Sequence, residues 1–427
     1  MKKIIISIII GLVLSACSSK LPKIETGSDI KLYVATDIHL LAEELMTNEE
    51  LMAQVFTFGD GRFVHYTNEL MRTFTNTIKE NQADILILSG DLTHDGEKLS
   101  HEALAKQLKE IEKNGTRVFV VPGNHDLENA FAKDFAEGGW KIAETVSADE
   151  FEEIYKDYGY KEAISRDPSG LSYLAQPSED VYLLMLDSNN YGMLNMPTGG
   201  GELTDDTLIW IKEATQIARD NNAQIITVMH HNLIKHSERL YKGYVINNSD
   251  EVVPIFDELN LNIVLSGHMH AQDIKYTRQT SNTIYDIVTS SMSIYPMNYG
   301  VLNYKKGEGF SYHLESLDVQ SWAQANSVDA NLLNFDEYAK DMNFTQNYNR
   351  AIESLIEDEI ILDPTIILSD ETILRLKTEN FNGVIRQIKN ELLFLNGRIT
   401  REEIVAQTNA VPKITTVSIP EQTLPSK

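Results

Sequence analysis

The sequence predicts a layered α/β domain followed by a small all-α region. Three observations carry this reading. From residue 30 to about 317, short β-rich apolar runs alternate with amphipathic segments. Five of those runs end abruptly in Asp, His, Asn or Gly. Beyond about Trp322 the short apolar runs stop and a helical period takes over.

The elements follow in order. Lys2 and Lys3 precede an apolar run from Ile4 to Leu14, then Ser15, Ala16 and Cys17. That run is shorter than the roughly 20 residues a membrane span needs. It has the basic head, apolar middle and small-residue site of a secretory signal. Residues 1–16 are therefore expected to be a signal peptide and 17–29 a polar tether. Strands are predicted at Leu32–Ala35, Ile85–Leu88, Val118–Val121, Val181–Leu186, Ile225–Met229 and Ile263–Leu265. Helices are predicted at Asn68–Asn81, Leu99–Asn114, Thr204–Asn221 and Asp250–Asn260, with Thr204 and Asp250 as N-caps. Gly300–Tyr304 and Phe310–Ser316 flank a Gly- and Lys-rich turn and read as a hairpin. Residues 30–319 thus form the expected catalytic domain and 320–410 a helical domain. The tail, 411–427, holds three prolines and is expected to be loose.

Composition narrows the function. The chain has 427 residues, 42% of them hydrophobic, enough to bury a full core. Its 37 basic and 63 acidic side chains leave a net charge of −26, which repels phosphate polymers and argues against nucleic-acid binding. One cysteine can form neither an internal disulfide nor a thiolate zinc site. A metal would have to be held by His, Asp, Glu and Asn. Gly199–Gly201 lacks the context of a phosphate cradle and reads as a flexible loop.

The five polar strand ends carry the chemistry. They are Asp37-Ile38-His39, Gly90-Asp91, Gly123-Asn124-His125-Asp126, His230-His231 and Gly267-His268-Met269-His270. In open α/β sheets, ligands bind in the crevice beyond the carboxyl ends of the strands. In extended chain, residues two apart point the same way, so Asp37 with His39, and His268 with His270, are expected to face one cation together. Glycine at 90, 123 and 267 allows close backbone approach. Imidazole, carboxylate and amide oxygen together suit Fe, Mn, Zn or Co.

These five clusters, in this order, resemble the calcineurin-like metallophosphoesterases over about residues 31–320. The resemblance implies a four-layer αββα sandwich. It also implies that Asp37, His39 and His270 hold one metal ion, that Asn124, His230 and His268 hold a second, and that Asp91 bridges them. His230, directly after its strand, matches the family ligand, and His231 is left to its surroundings or to the substrate. His125 is implied as general acid facing the substrate phosphate, and Asp126 is expected to orient it. His94 could touch substrate or simply face solvent. Two divalent metals against two carboxylates and a shared hydroxide leave a site charge of about +1, a pocket for a small phosphate ester. The implied reaction is attack of that hydroxide on phosphorus with no covalent intermediate.

Two narrower resemblances complete the reading. The stretches Gly90–Thr93, Gly96–Lys98 and Gly123–Asp126 with Asn129 resemble bacterial lipoprotein 3′,5′-cyclic-nucleotide phosphodiesterases that carry a C-terminal helical domain. Cyclic AMP is the implied substrate. Nucleotides, other monoesters and glycerophosphodiesters are alternatives, as is a lipid-anchored phosphate-binding protein without turnover. Leu14-Ser15-Ala16-Cys17 resembles a lipobox, which implies a lipid anchor on Cys17 and a place at the outer face of the cell membrane.

Overall fold

Two β-sheets lie face to face, and both present the carboxyl ends of their parallel strands to one edge of the molecule. The structure is a computed structural model. It describes residues 21, 23–48, 50–53, 61–136, 139–191, 197–238, 241–278, 280–357, 368–378, 384–395, 397–403 and 414–422. The proposed signal and Cys17 lie outside the described residues.

Along the chain run β1 (Ile30–Ala35), α1 (Thr67–Asn81), β2 (Ile85–Ser89), α2 (Lys98–Glu112), β3 (Arg117–Val121), the ribbon β4 (Lys133–Ala136) and β5 (Gly139–Ile142), and α3 (Ala148–Tyr155). Next come β6 (Ala163–Arg166), β7 (Tyr173–Ala175), β8 (Val181–Leu186), the ribbon β9 (Asn189–Tyr191) and β10 (Pro197–Gly201), α4 (Asp205–Asp220), β11 (Gln224–Met229) and α5 (Ser249–Glu258). Then follow β12 (Ile263–Ser266), β13 (Asp273–Tyr276), β14 (Tyr285–Val288), β15 (Asn298–Lys305) and β16 (Gly309–Ser316). The helices α6 (Val319–Asn326), α7 (Ala330–Leu333), α8 (Phe335–Glu357), α9 (Asp370–Thr378) and α10 (Val384–Leu395) precede a last strand, β17 (Val417–Ile419).

The first sheet has the order β17-β16-β15-β1-β2-β3, and the second β13-β14-β12-β11-β8-β7-β6. Within them β1, β2 and β3 are parallel, as are β8, β11, β12 and β14. Alternation along the strands explains the layering. Leu183, Met185, Ile226 and Val228 face the first sheet in the central core. Their neighbours Leu184, Leu186, Ile225 and Met229 face outward onto Leu208, Ile211, Val252 and Phe256 of α4 and α5. On the other side Leu70, Phe74 and Ile78 of α1 and Leu104, Leu108 and Ile111 of α2 cover the first sheet. The result is the four-layer αββα sandwich. Thr204 caps α4 through its hydroxyl, which accepts from Thr207 N at 3.2 Å. Asp250 lies in the first turn of α5, whose cap position is Asn248.

The C-terminal region is helical, but its first part belongs to the main core. Val319, Ala323, Leu332, Phe335 and Ala339 are buried with the sheet residues. A separate helical core starts at Phe344 and joins Ala351, Leu355, Leu376, Ile388 and Leu392. The tail also departs from the loose segment expected of 411–427. Val417–Ile419 pair with Phe310–Tyr312 at the sheet edge, and Gln422 N donates to Gln224 Oε1 at 2.7 Å. Pro420 follows directly after this strand and does not interrupt it. Gly199–Gly201, expected as a loop, lies in β10.

Candidate active site

The carboxyl ends of β1, β2, β3, β11 and β12 deliver the polar clusters to one crevice. Backbone bonds close it: Gly267 N donates to His230 O at 2.9 Å within the second sheet, and Met292 N donates to Thr36 O at 3.2 Å between the two sheets. Asp37 is fixed on several sides. Its Oδ2 accepts from Thr36 Oγ1 (2.8 Å) and His268 N (3.0 Å), and its carbonyl accepts from Ser291 and Ser293 hydroxyls.

The backbone reason for the convergence differs from the one read in the sequence. Asp37, His39, Asp91, His268 and His270 all have positive φ, between 49° and 67°. The Asp-x-His and His-x-His pairs therefore do not meet by extended alternation. Left-handed turns at both members swing their side chains inward, at a conformational cost of roughly 1–2 kcal/mol per residue. Such strain persists only where the surroundings hold it, as at binding sites. The glycines act as expected by close approach. A Cβ on Gly123 would collide with the Asp91 carboxylate, and one on Gly267 with Thr36 and Asp37.

Two ligand groups result. Asp37, His39, Asp91 and His270 bring one donor atom each within 4.8 Å of one another, as do Asp91, His230 and His268. His39 Nε2 lies 3.1 Å from His270 Nε2 and 3.7 Å from Asp91 Oδ2. His230 Nε2 lies 3.3 Å from that same Asp91 oxygen and 3.1 Å from Asn124 Oδ1. Asp91 Oδ2 thus stands between the groups, while its Oδ1 accepts from His125 N at 2.9 Å. All seven residues named as ligands are brought together here.

The donor set fits two metal ions. Asp37 Oδ1 is buried without a hydrogen bond, although His270 Nε2 lies 3.2 Å away. His230 Nδ1 faces Ser89 O at 3.0 Å, which makes it the protonated nitrogen and leaves Nε2 for a ligand. His268 Nε2 faces the carbonyls of Gly243 and Gly199 at 2.8 and 3.0 Å, which leaves its Nδ1. Burial works against ionisation of Asp91, yet His230, His125 and His39 hold its carboxyl well below the usual range. Burial, and then His230, push His268 down to about 4, so it is neutral as a ligand must be. The cluster demands positive charge at its centre.

His125 stands partly buried at the rim, its ring 5.0 Å from that of His39 and edge-on. Its orienting partner is not Asp126. His125 Nδ1 donates to Asp95 Oδ1 at 2.8 Å. Asp126 instead accepts from Gly123 N (2.8 Å), Leu92 N (3.0 Å), Thr93 N (2.9 Å) and Thr93 Oγ1 (2.9 Å), and so ties the β2 and β3 ends together. Its neighbour in sequence could not serve His125 because those four donors already fix both its oxygens. Asp95 carried no expected role. The one signal for it is its place in the turn just after Asp91, with Gly96.

The two weaker assignments fall outside the two groups that share Asp91, although His94 forms a third cluster of potential donors with Asp95 and Glu97. His94 is buried, not solvent-facing, with Nδ1 3.2 Å from Asp95 Oδ2 and 3.3 Å from Glu97 Oε1. His231 is buried against Ser188 Oγ at 3.0 Å, and its ring lies 4.5 Å from that of His268. Arg62, unremarked in the sequence, reaches the site: its Nη1 lies 2.9 Å from His39 Nδ1.

Comparison with known proteins bears on this geometry. Residues 30–272, more than half of the chain, match the family described as calcineurin-like phosphoesterase. A probable cyclic nucleotide phosphodiesterase of Coxiella burnetii is 24% identical over 293 residues, covering 66% of this chain and 94% of the relative. One of the same name in Psychrobacter arcticus is 23% identical over 243 residues, covering 56% and 74%. A dimetal phosphatase from Danio rerio superposes with a TM-score of 0.46 at 11% identity, over 67% of this chain and 95% of its own.

Proposed function

This chain belongs to the calcineurin-like phosphoesterases, a family of phosphoric ester hydrolases, and on that premise we propose that it is a dinuclear-metal phosphodiesterase whose substrate is a 3′,5′-cyclic nucleotide, cyclic AMP foremost. The observation that carries the reading is the pair of ligand groups that share Asp91 Oδ2, with His125 beside them. The names of the Coxiella and Psychrobacter relatives support the substrate class.

Asp37, His39 and His270 would hold one metal, Asn124, His230 and His268 the other, and Asp91 both. Fe, Mn, Zn and Co all suit these donors. When bound, such metals supply Lewis acidity and lower the pKa of water. The chain does the rest. Its carboxylates and imidazoles fix where phosphorus sits, and the bare backbone at Gly123 lets Asp91 approach. Asp95 accepts a hydrogen bond from Nδ1–H of His125, which keeps that proton on the ring, so Nε2 is the nitrogen left to face substrate and, from the doubly protonated ring, to give its proton to the leaving oxygen. The same reading places the enzyme on a lipid anchor at Cys17, outside the cytoplasm, and rests there on Leu14-Ser15-Ala16-Cys17 alone.

The test is a substrate panel on metal-reconstituted protein, with cyclic AMP, cyclic GMP, their 2′,3′ isomers, nucleoside monophosphates and glycerophosphodiesters. Preference for a monoester would replace the phosphodiesterase reading with a nucleotidase. In parallel, His125→Ala should keep both metals and lose most turnover. Full turnover in that variant would remove His125 from the mechanism, and no turnover in the parent protein would leave a phosphate-binding protein.

A further inference from the structure

Glu97 is out of place for a residue that merely starts a helix. It holds the cap position of α2, where Ser, Thr, Asp and Asn are favoured, yet its carboxylate makes no cap bond. The residue is fully buried. A buried carboxylate is costly unless it is hydrogen-bonded. Its two bonds both reach back into the turn before it. Oε1 lies 3.3 Å from His94 Nδ1, and Oε2 accepts from Asp95 N at 3.1 Å.

These bonds join a longer chain. His94 Nδ1 also lies 3.2 Å from Asp95 Oδ2, so one ring N–H serves two carboxylates, and Nδ1 is the protonated nitrogen. Glu97 thus holds Asp95 by its backbone and, through His94, by its side chain. That leaves Asp95 Oδ1, which accepts from His125 Nδ1 at 2.8 Å and from Asn129 Nδ2 at 3.2 Å. His94 is itself pinned. Its N donates to Leu40 O at 3.0 Å, and its ring meets Phe135 of β4 edge-on with centres 6.4 Å apart. Side-chain exposure falls along the chain from 28% at His125 through 12% at Asp95 and 9% at His94 to 0% at Glu97. The general acid is therefore oriented from the dry end inward of it, where water cannot substitute for a lost partner.

We propose that Glu97 and His94 are positioning residues for proton donation: they fix Asp95, and through it the Nδ1–H of His125, without touching substrate or metal. The inference rests on the phosphoesterase reading above and extends it into the protein. The rival use of the same side chains is a third metal ion, since His94, Asp95 and Glu97 each bring one donor atom within 4.8 Å of the others. The hydrogen bonds favour the positioning role. The proton on His94 Nδ1 satisfies both facing oxygens, so this cluster asks for no ion. Asp37 Oδ1, in the first ligand group, is buried with no hydrogen bond and does ask for one.

The experiment uses the zinc-loaded full chain and two diesters, one with a nitrophenolate and one with an alkoxide leaving group, with metal content measured alongside. Glu97→Gln should keep both metals and KM and lower kcat for the alkoxide diester by roughly three- to tenfold, with a smaller fall for the nitrophenolate. In the Asp95→Asn background the same change should add little, because it acts through Asp95. His94→Asn, whose amide N–H falls near the place of Nδ1–H, should lose less than His94→Leu, whereas packing on Phe135 alone predicts the reverse. Histidine-ring NMR supplies a readout that needs no turnover: exchange of the His125 Nδ1 proton with water should be slow in the parent and faster in Glu97→Gln and His94→Leu. His94→Leu carries the test if Glu97→Gln does not fold. Equal losses for both leaving groups, full additivity with Asp95→Asn, or unchanged exchange of that proton would overturn the inference, and so would three metals per chain. Parent protein that holds both metals and the slow His125 proton yet cleaves neither diester would instead overturn the phosphoesterase reading itself.

Discussion

Asp95→Asn separates the two aspartates that could serve His125. The 2.8 Å bond from His125 Nδ1 to Asp95 Oδ1 joins two side chains that are only 28% and 12% exposed, so water replaces it poorly. A hydrogen bond to a charged partner in such a place is worth about 1.5–3 kcal/mol. An amide keeps the shape but loses the charge that stabilises the Nδ1 proton and orients Nε2. If the whole of that energy acts in the transition state, kcat falls by roughly ten- to two-hundred-fold. KM and metal content should hold, since Asp95 is in neither group that shares Asp91. The assay is steady-state hydrolysis of two diesters, one with a nitrophenolate and one with an alkoxide leaving group. The poorer leaving group needs the proton more, so its rate should fall further. Asp126→Asn is the control. It disturbs an acceptor for three backbone N–H groups and a hydroxyl, so it should lower the melting temperature before it alters the leaving-group dependence. Normal kcat in Asp95→Asn, with the leaving-group effect appearing in Asp126→Asn, would refute the assignment.

Three further outcomes can be checked directly. Asp91→Ala should lose both metals together by elemental analysis, because one oxygen stands 3.7 Å from His39 and 3.3 Å from His230; retention of two metals would exclude a shared ligand. His236 is buried but lies 3.2 Å from Asp273 and 3.3 Å from Asp286, and those carboxylates raise its pKa against the opposing effect of burial. A raised histidine stabilises the fold fully below the unfolded pKa and loses that contribution as pH climbs through the folded one. His236→Asn should therefore cost more stability by urea melts near pH 6 than near pH 9, and equal costs would contradict the ion pair. Ending the chain at residue 413 should lower the melting temperature by several degrees, since it removes β17, the Gln422–Gln224 pair and the Tyr304 Oη bond to Glu421 Oε1 at 2.7 Å.

The candidate ligands were legible because each sits at the end of an apolar run, and strand ends gather at one edge of an α/β sheet. Asp37, His39, Asp91, Asn124, His230, His268 and His270 needed nothing beyond that rule and the family resemblance to be named. What the chain does between these points was not legible. The left-handed turns at Asp37 and His39 depend on Gly90 and Asp91, whose carbonyls accept from Asp37 N and His39 N at 3.0 Å across the sheet. Asp95 serves His125 across 30 positions, whereas Asp126 is adjacent in sequence and already occupied. Arg62 is placed by its bridge to Ile294, a relation no local pattern encodes. The last strand was missed for the same reason, since Val417–Ile419 is short and takes its partner from 310–312.

The direction in which β1 runs has a spatial consequence. Ile24 pairs with Pro177 and Glu179, and Gly27 N donates to Asp180 Oδ2 at 2.6 Å, just before β8 begins. The chain therefore enters the body at the amino ends of β1 and β8, and the crevice opens at the other ends. Six residues of β1 put roughly 20 Å between the two. An anchor at Cys17 would reach the body through only the three residues from Ser18 to Lys20, on the order of 10 Å of extended chain, because Leu21 O already accepts from Arg117 Nη1 at 3.0 Å. Such a leash would turn the crevice toward the bulk fluid. Soluble esters diffusing past would meet it, while the phosphates of the bilayer beneath would lie behind the protein.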